Sequence, residues 1–229
     1  MANESPHRGV LRIGHRGACG HAPENTLASI ERAIALRCDF TEVDIQRTSD
    51  DELVLLHDER VDRSTNGHGR VSELTLPDIR KLDAGGGQSL PTLDDALKSA
   101  SGRIGLILEL KTRGLAYDVR ATVRASGFDG PVIYASFLRE ELQHVRRIDS
   151  AAQTMILLTR RLTNPGAEAA GLHATHVGLR LDTLTKPLVI ALHNERLIVF
   201  AYTANQPADI SRMIALGVDG IISDFPGRI

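Results

Sequence analysis

The stretch Phe40-Thr-Glu-Val-Asp-Ile-Gln-Arg-Thr-Ser-Asp-Asp-Glu-Leu-Val-Leu-Leu-His-Asp58 (FTEVDIQRTSDDELVLLHD, residues 40–58) holds two strand-like runs around a polar turn at Ser49, Asp50 and Asp51. Strand alternation sets Glu42 and Asp44 on the face opposite Val43 and Ile45. Only a short turn separates 48 from 53, whereas parallel neighbours need a crossover of a dozen or more residues. The 53–57 run is therefore expected to return antiparallel, bringing His57 back to the rim where Glu42 and Asp44 stand.

That reading decides how the other apolar runs are counted. They are 10–14 (VLRIG), 40–46, 53–57 (LVLLH), 104–110 (IGLILEL), 131–135 (PVIYA), 154–158 (TMILL), 176–181 (HVGLRL), 197–202 (LIVFAY) and 218–222 (VDGII). Helical spacing marks 25–36, 92–100, 138–147 and 207–215 between them. Asn25 or Thr26 suits the start of the first helix and Pro207 the start of the last. Alternating β and α implies a parallel sheet. With 53–57 set aside as a hairpin excursion, eight strands remain, as a (β/α)8 TIM barrel requires. An open doubly wound sheet is second, without the glycine-rich dinucleotide turn that would support it.

Composition agrees with one domain over residues 1–229. The chain has 229 residues, 42% hydrophobic and 24% charged, enough for an ordinary core. A net charge of −2, with both signs mixed along the chain, leaves no footprint for nucleic acid or for a polybasic membrane contact. No apolar run approaches the roughly 20 residues that span a bilayer. The N-terminus lacks a secretory pattern, and Cys19 and Cys38 read as free thiols of a reducing compartment, so the expected location is the cytoplasm.

Four strand ends carry the chemistry. VLRIG runs into His15-Arg16-Gly17, the second strand carries Glu42 and Asp44, the hairpin ends at His57-Asp58, and IGLILELK carries Glu109 and Lys111. Charged residues at C-terminal strand ends of such a barrel mark an active site. Three carboxylates make an oxygen-rich site for Mg2+ or Ca2+. Two histidines suit proton transfer near neutral pH, and Arg16 and Lys111 suit a phosphate. Taken singly, Glu-x-Asp is more often a solvated strand face, and Glu109 with Lys111 an ion pair of small value. Their order at successive strand ends favours cleavage of a phosphodiester. His7-Arg8-Gly9 repeats the His-Arg-Gly triplet, but ahead of the first strand, and reads as incidental.

With these residues in place the sequence resembles the glycerophosphodiester phosphodiesterase family. IGHRGACGHAPENT looks like its opening HRG…PENT signature, EVDIQRTSDDELVLLHD like its E-x-D…HD segment, and RSTNGHGRVSELTLPDIRKLDAG like the stretch after that segment; PTLDDAL, LILELK, YASF, AYTAN and GVDGIISDFP come in family order over roughly 10–226. The resemblance implies a TIM barrel of the phospholipase-C-like phosphodiesterase type. The implied enzyme hydrolyses glycerophosphodiesters to sn-glycerol 3-phosphate and an alcohol, with one divalent cation, Mg2+ or Ca2+. It implies Glu42, Asp44 and Glu109 as metal ligands, His15 and His57 as the acid/base pair, and Arg16 and Lys111 as phosphate contacts. Glu24 has a supporting role in this scheme. Direct attack by water and attack by a glycerol hydroxyl both remain open.

Three features depart from the family pattern. DAGGGQSLPTL is a shortened, glycine-rich insertion, Tyr202 stands where the family usually has tryptophan, and the helix expected after the last strand is missing or minimal. The last feature leads to the expectation of a barrel flank covered by a partner subunit, as in a homo-oligomer, or by the N-terminal segment. Phe137, Leu162 and Tyr202 are weaker candidates for substrate contact, and Asp224 is balanced between a site residue and a loop cap.

Overall fold

The computed structural model describes residues 9–160 and 164–229; His7, Arg8 and Leu162 therefore lie outside the described residues. All nine expected strands are present: β1 Leu11–Gly14, β2 Phe40–Arg47, β3 Leu53–Leu55, β4 Gly105–Leu110, β5 Val132–Ser136, β6 Gln153–Leu158, β7 His176–Arg180, β8 Ile198–Tyr202 and β9 Gly220–Ser223. The helices are α1 Leu27–Ala35, α2 Leu76–Ile79, α3 Leu93–Ala100, α4 Ala116–Ser126, α5 Arg139–Ile148, α6 Pro165–Gly171, α7 Lys186–Asn194 and α8 Pro207–Leu216.

Eight strands pair in parallel in the order β1-β9-β8-β7-β6-β5-β4-β2, and pairing of β1 with β2 closes the barrel. β3 is outside the ring and antiparallel to β2. It uses the same edge of β2 as β1 does, but higher: β1 takes Phe40 and Thr41, whereas β3 takes Ile45 to Arg47. β3 therefore runs down toward the end of β1, and the chain leaves it next to His15. A positive φ of 64° at Asp51 lets the chain reverse in so few residues.

Alternation sorts each ring strand into two environments. Ile13, Ile107, Ile133, Met155, Phe200 and Ile222 fill the barrel interior, while Val43, Ile45, Leu108 and Leu110 pack outward with Leu93 and Leu97 of α3. A separate apolar cluster, including Val54, Leu56, Val61, Val71 and Leu90, supports the excursion between β3 and α3.

The helix ends are closed in different ways. Thr26 caps α1 and Thr92 caps α3, each through a reciprocal capping box. α4 has no side-chain cap of its own. The buried Glu141 of α5 instead accepts from the N–H groups of Gly114, Leu115 and Ala116 at 2.7, 3.0 and 2.9 Å. After β9 the chain makes a single 3-10 turn, Pro226–Arg228, in place of a long helix. Ile229 comes next and packs against the apolar layer outside β7, β8 and β9.

Candidate active site

A cavity of about 170 Å3 opens at the C-terminal end of the barrel, lined on one side by His15, Arg16, Glu42, His57 and Glu109. Ala135, Phe137, Met155, Leu157, Tyr202 and Ile222 form the opposite, apolar wall, with Thr203 beside Tyr202. The rings of Phe137 and Tyr202 meet edge to face, centroids 6.3 Å apart.

Glu42, Asp44 and Glu109 are buried, and each places a carboxylate oxygen within 4.8 Å of the other two. Register explains the meeting, since Asp44 of β2 is level with Glu109 of β4. Burial and the charge of Asp44 push Glu42 up to about 8. The same two causes raise Glu109, with Lys111 opposing them. Glu42 Oε1 is buried with no hydrogen-bond partner. A divalent cation answers both observations, because it would neutralise crowded carboxylates and use the orphan oxygen. The all-oxygen donor set fits a hard ion.

Polar neighbours hold these carboxylates in place. Asn25 Nδ2 donates to Asp44 Oδ2 at 2.8 Å, and the Asp44 N–H donates to Asn25 Oδ1 at 3.1 Å. The Arg16 N–H donates to Glu42 Oε2 at 2.9 Å. Arg16 and Asn25 both have positive φ, 50° and 55°, a conformation uncommon for residues other than glycine. Beside Arg16, Gly17 (φ 86°) lies so close to Ser29 of α1 that a Cβ would fall 2.1 Å from Oγ. α1 thus presses directly on the loop that presents His15 and Arg16.

Each histidine carries a carboxylate on Nδ1. His15 Nδ1 is 2.6 Å from Asp224 Oδ1, and His57 Nδ1 is 2.6 Å from Asp58 Oδ1. Hydrogen bonds from His15, Cys19 and Asn205 outweigh burial and lower Asp224 to about 2, and Arg63 chiefly lowers Asp58 to about 2. Both aspartates are therefore acceptors, Nδ1–H donates in each pair, and Nε2 is left for the cavity. The histidines themselves shift in opposite directions. Burial pulls His15 down, but the Asp224 hydrogen bond and the charge of Glu42 outweigh it and the result is raised. Burial also lowers His57, and Asp44 and Asp58 do not recover the loss against Lys111 and Arg16.

The remaining expected residues have different positions. Arg16 lines the cavity, and its NH1 donates to Glu24 Oε1 at 2.9 Å. Glu24 stands behind Arg16 and off the cavity surface. Lys111 Nζ donates to Glu109 Oε1 at 2.7 Å and lies 3.4 Å from Asp44 Oδ1, so it faces the carboxylates. Tyr202 lies in the wall and donates its hydroxyl to the Leu158 carbonyl at 2.9 Å. Asn25, Arg63 and Asn205 belong to the site but were missed in the sequence. Asp224 had a signal, an acidic residue directly after the last strand; Arg63 and Asn205 are loop residues outside any periodic pattern.

The family model for the glycerophosphoryl diester phosphodiesterase family matches residues 15–228. A putative glycerophosphodiester phosphodiesterase, YhdW of Bacillus subtilis, is 34% identical over 95% of each chain. Among solved structures, a putative glycerophosphoryl diester phosphodiesterase from Silicibacter pomeroyi superposes with a TM-score of 0.91 at 29% identity, covering 97% of this chain and 92% of its own. A phosphodiesterase from Oleispira antarctica, solved with the product sn-glycerol-3-phosphate, gives a TM-score of 0.90 at 26% identity, covering 97% and 95%.

Proposed function

This chain belongs to the glycerophosphoryl diester phosphodiesterase family, and from that premise we propose that it hydrolyses glycerophosphodiesters to sn-glycerol 3-phosphate and an alcohol by metal-dependent, two-histidine catalysis. The observation that carries the reading is the arrangement at one cavity mouth of three crowded carboxylates and two histidines with carboxylates on Nδ1.

Glu42, Asp44 and Glu109 are the proposed holders of one divalent cation, Mg2+ or Ca2+. When bound, it supplies positive charge against the phosphate oxygens as negative charge builds in the transition state. Arg16, at the cavity surface beside Glu42 and Asp44, orients the phosphate. Lys111, paired with Glu109 and close to Asp44, balances their charge and is the proposed second cation for the phosphate. His57, held neutral, takes the proton from the attacking oxygen. His15, whose protonated form the Asp224 hydrogen bond favours, gives one to the departing alkoxide, so the pair exchanges one proton in and one out per turnover. The phosphate–alkoxide bond breaks as the new phosphate–oxygen bond forms. The apolar wall of Phe137, Met155, Leu157 and Tyr202 faces the alcohol half of the substrate.

The proposed working compartment is the cytoplasm, which two free thiols, Cys19 and Cys38, support. No helix among the described residues is long and apolar enough to cross a membrane. The test is an assay of glycerophosphocholine and glycerophosphoethanolamine. Glycerol 3-phosphate should be released, release should stop on chelation, and Mg2+ or Ca2+ should restore it. Full turnover after exhaustive chelation would contradict the metal assignment.

A further inference from the structure

Resting on the reading of His57 as a proton carrier, we infer that Arg63 is a positioning residue that holds His57 in register with the rest of the site. His57 needs such support because of its origin. It comes after β3, a strand outside the ring, and the excursion beyond it packs on its own apolar cluster. His15, by contrast, comes directly after a ring strand.

Arg63 lies in that excursion and uses all three sides of its guanidinium. Nε donates to Asp58 Oδ2 at 2.5 Å, while NH1 and NH2 donate to Glu24 Oε2 and Oε1 at 2.9 and 2.6 Å. Asp58 accepts from His57 with its other oxygen at 2.6 Å, and Glu24 Oε1 also accepts from Arg16 NH1 at 2.9 Å. Arg16 Nε in turn lies 3.4 Å from Asp44 Oδ2. One side chain therefore links the histidine of the excursion, through Asp58, to the loop after β1 and the carboxylate set, through Glu24. The planar fork is essential, since a lysine ammonium is a point charge and does not grip two carboxylates at fixed angles. Asp58 is held from both ends, by Arg63 and by His57, which fixes the imidazole plane as well as its tautomer.

Arg63 is half exposed and touches no cavity surface, so its ion pairs contribute little to global stability. Its effect should appear in kcat. The experiment measures kcat, KM and the thermal midpoint for wild type, R63Q, R63K, D58N and the R63Q/D58N double variant, with H57Q as a control. The expected result for R63Q is a fall in kcat of tenfold or more, with KM within about twofold and the midpoint nearly unchanged. R63K should recover only part of the loss, and R63Q should add little to D58N because both act through one link. Wild-type kcat in R63Q overturns the inference. So does a rise in KM with additive losses in the double variant, which would mean that Arg63 acts through Glu24 and Arg16 on phosphate binding. If R63Q lowers the thermal midpoint strongly, R63K decides: full recovery of kcat with the midpoint makes Arg63 merely structural. An active H57Q would refute the histidine reading itself, separately from Arg63.

Discussion

His15 comes after β1, a ring strand, and its Nδ1 donates to Asp224, 209 positions away at the other end of the chain. His57 comes after β3, outside the ring, and donates to its neighbour Asp58. Both pairs have the same 2.6 Å contact, yet His15 is shifted up and His57 down. The groups behind the aspartates differ as well. Asp224 is backed by neutral donors, the Asn205 amide at 2.6 Å and the Cys19 thiol at 3.2 Å, so its negative charge acts on His15 alone. Asp58 is shared with the guanidinium of Arg63. Surrounding charges complete the contrast: Lys111 and Arg16 oppose a proton on His57 against the help of Asp44, whereas on His15 Arg16 opposes and Glu42 favours it. A histidine–aspartate pair does not by itself set which way the imidazole titrates; burial and the charges around the ring take part in that decision.

Replacing each histidine is the hardest way to strain this comparison. H15Q and H57Q should each lower kcat by about 10²–10⁴, the usual range for a general acid or base. The two variants should differ in pH dependence. Wild-type kcat/KM should be bell-shaped, rising as His57 loses its proton and falling as His15 loses its own. H57Q should lose the rising limb and H15Q the falling one, as a pH series from 5 to 9 would reveal. The opposite loss would exchange the roles of the two residues.

The partner aspartates should produce smaller effects. D224N presents an amide to His15 Nδ1 and removes the charge that favours the imidazolium. Its kcat should fall roughly ten- to a hundredfold, with the falling limb moved to lower pH. An unchanged limb would show that Asp224 only orients the ring.

A third histidine supplies the case without a carboxylate on the ring. His176, buried at the start of β7, has Thr175 Oγ1 on Nδ1 at 2.7 Å, and burial lowers it to about 4 despite some help from Asp219. The folded value lies below the unfolded one, so the unfolded chain binds the extra proton. Stability is therefore intact above pH 6.5 and is lost as pH falls toward 4, by about 3 kcal/mol for a 2.5-unit gap. Urea unfolding at pH 7 and pH 4.5 should show this slope, and H176N should flatten it. An unchanged slope would assign the acid sensitivity to other groups.

Most of the fold was legible in the sequence, because strand alternation and the short turn at Ser49–Asp51 are local signals. The nine runs became nine strands, and the turn correctly separated β3 from the ring. One helix that the sequence did not show, α4, has an end that depends on a distant residue. α4 is capped by Glu141 of another helix, which no window around residue 116 contains. The site divides in the same way. Glu42, Asp44 and Glu109 meet because neighbouring strands are in register, and His57 joins His15 because the hairpin is short. Lys111 pairs with Glu109 two positions away on the same strand face, as the alternation implies. Asn205 and Arg63 lie in quoted motifs but were given no role, since their contacts with Asp224 and Glu24 reach across 19 and 39 positions. Such contacts leave no period in a sequence.

The central claim, that two similar histidine–aspartate pairs hold their protons oppositely, is tested most directly by an NMR titration of the histidine side chains in chelated protein, with H15Q and H57Q used for assignment. The account predicts a midpoint above 6.5 for His15 and below 6.5 for His57. Equal midpoints, or the reverse order, would contradict it.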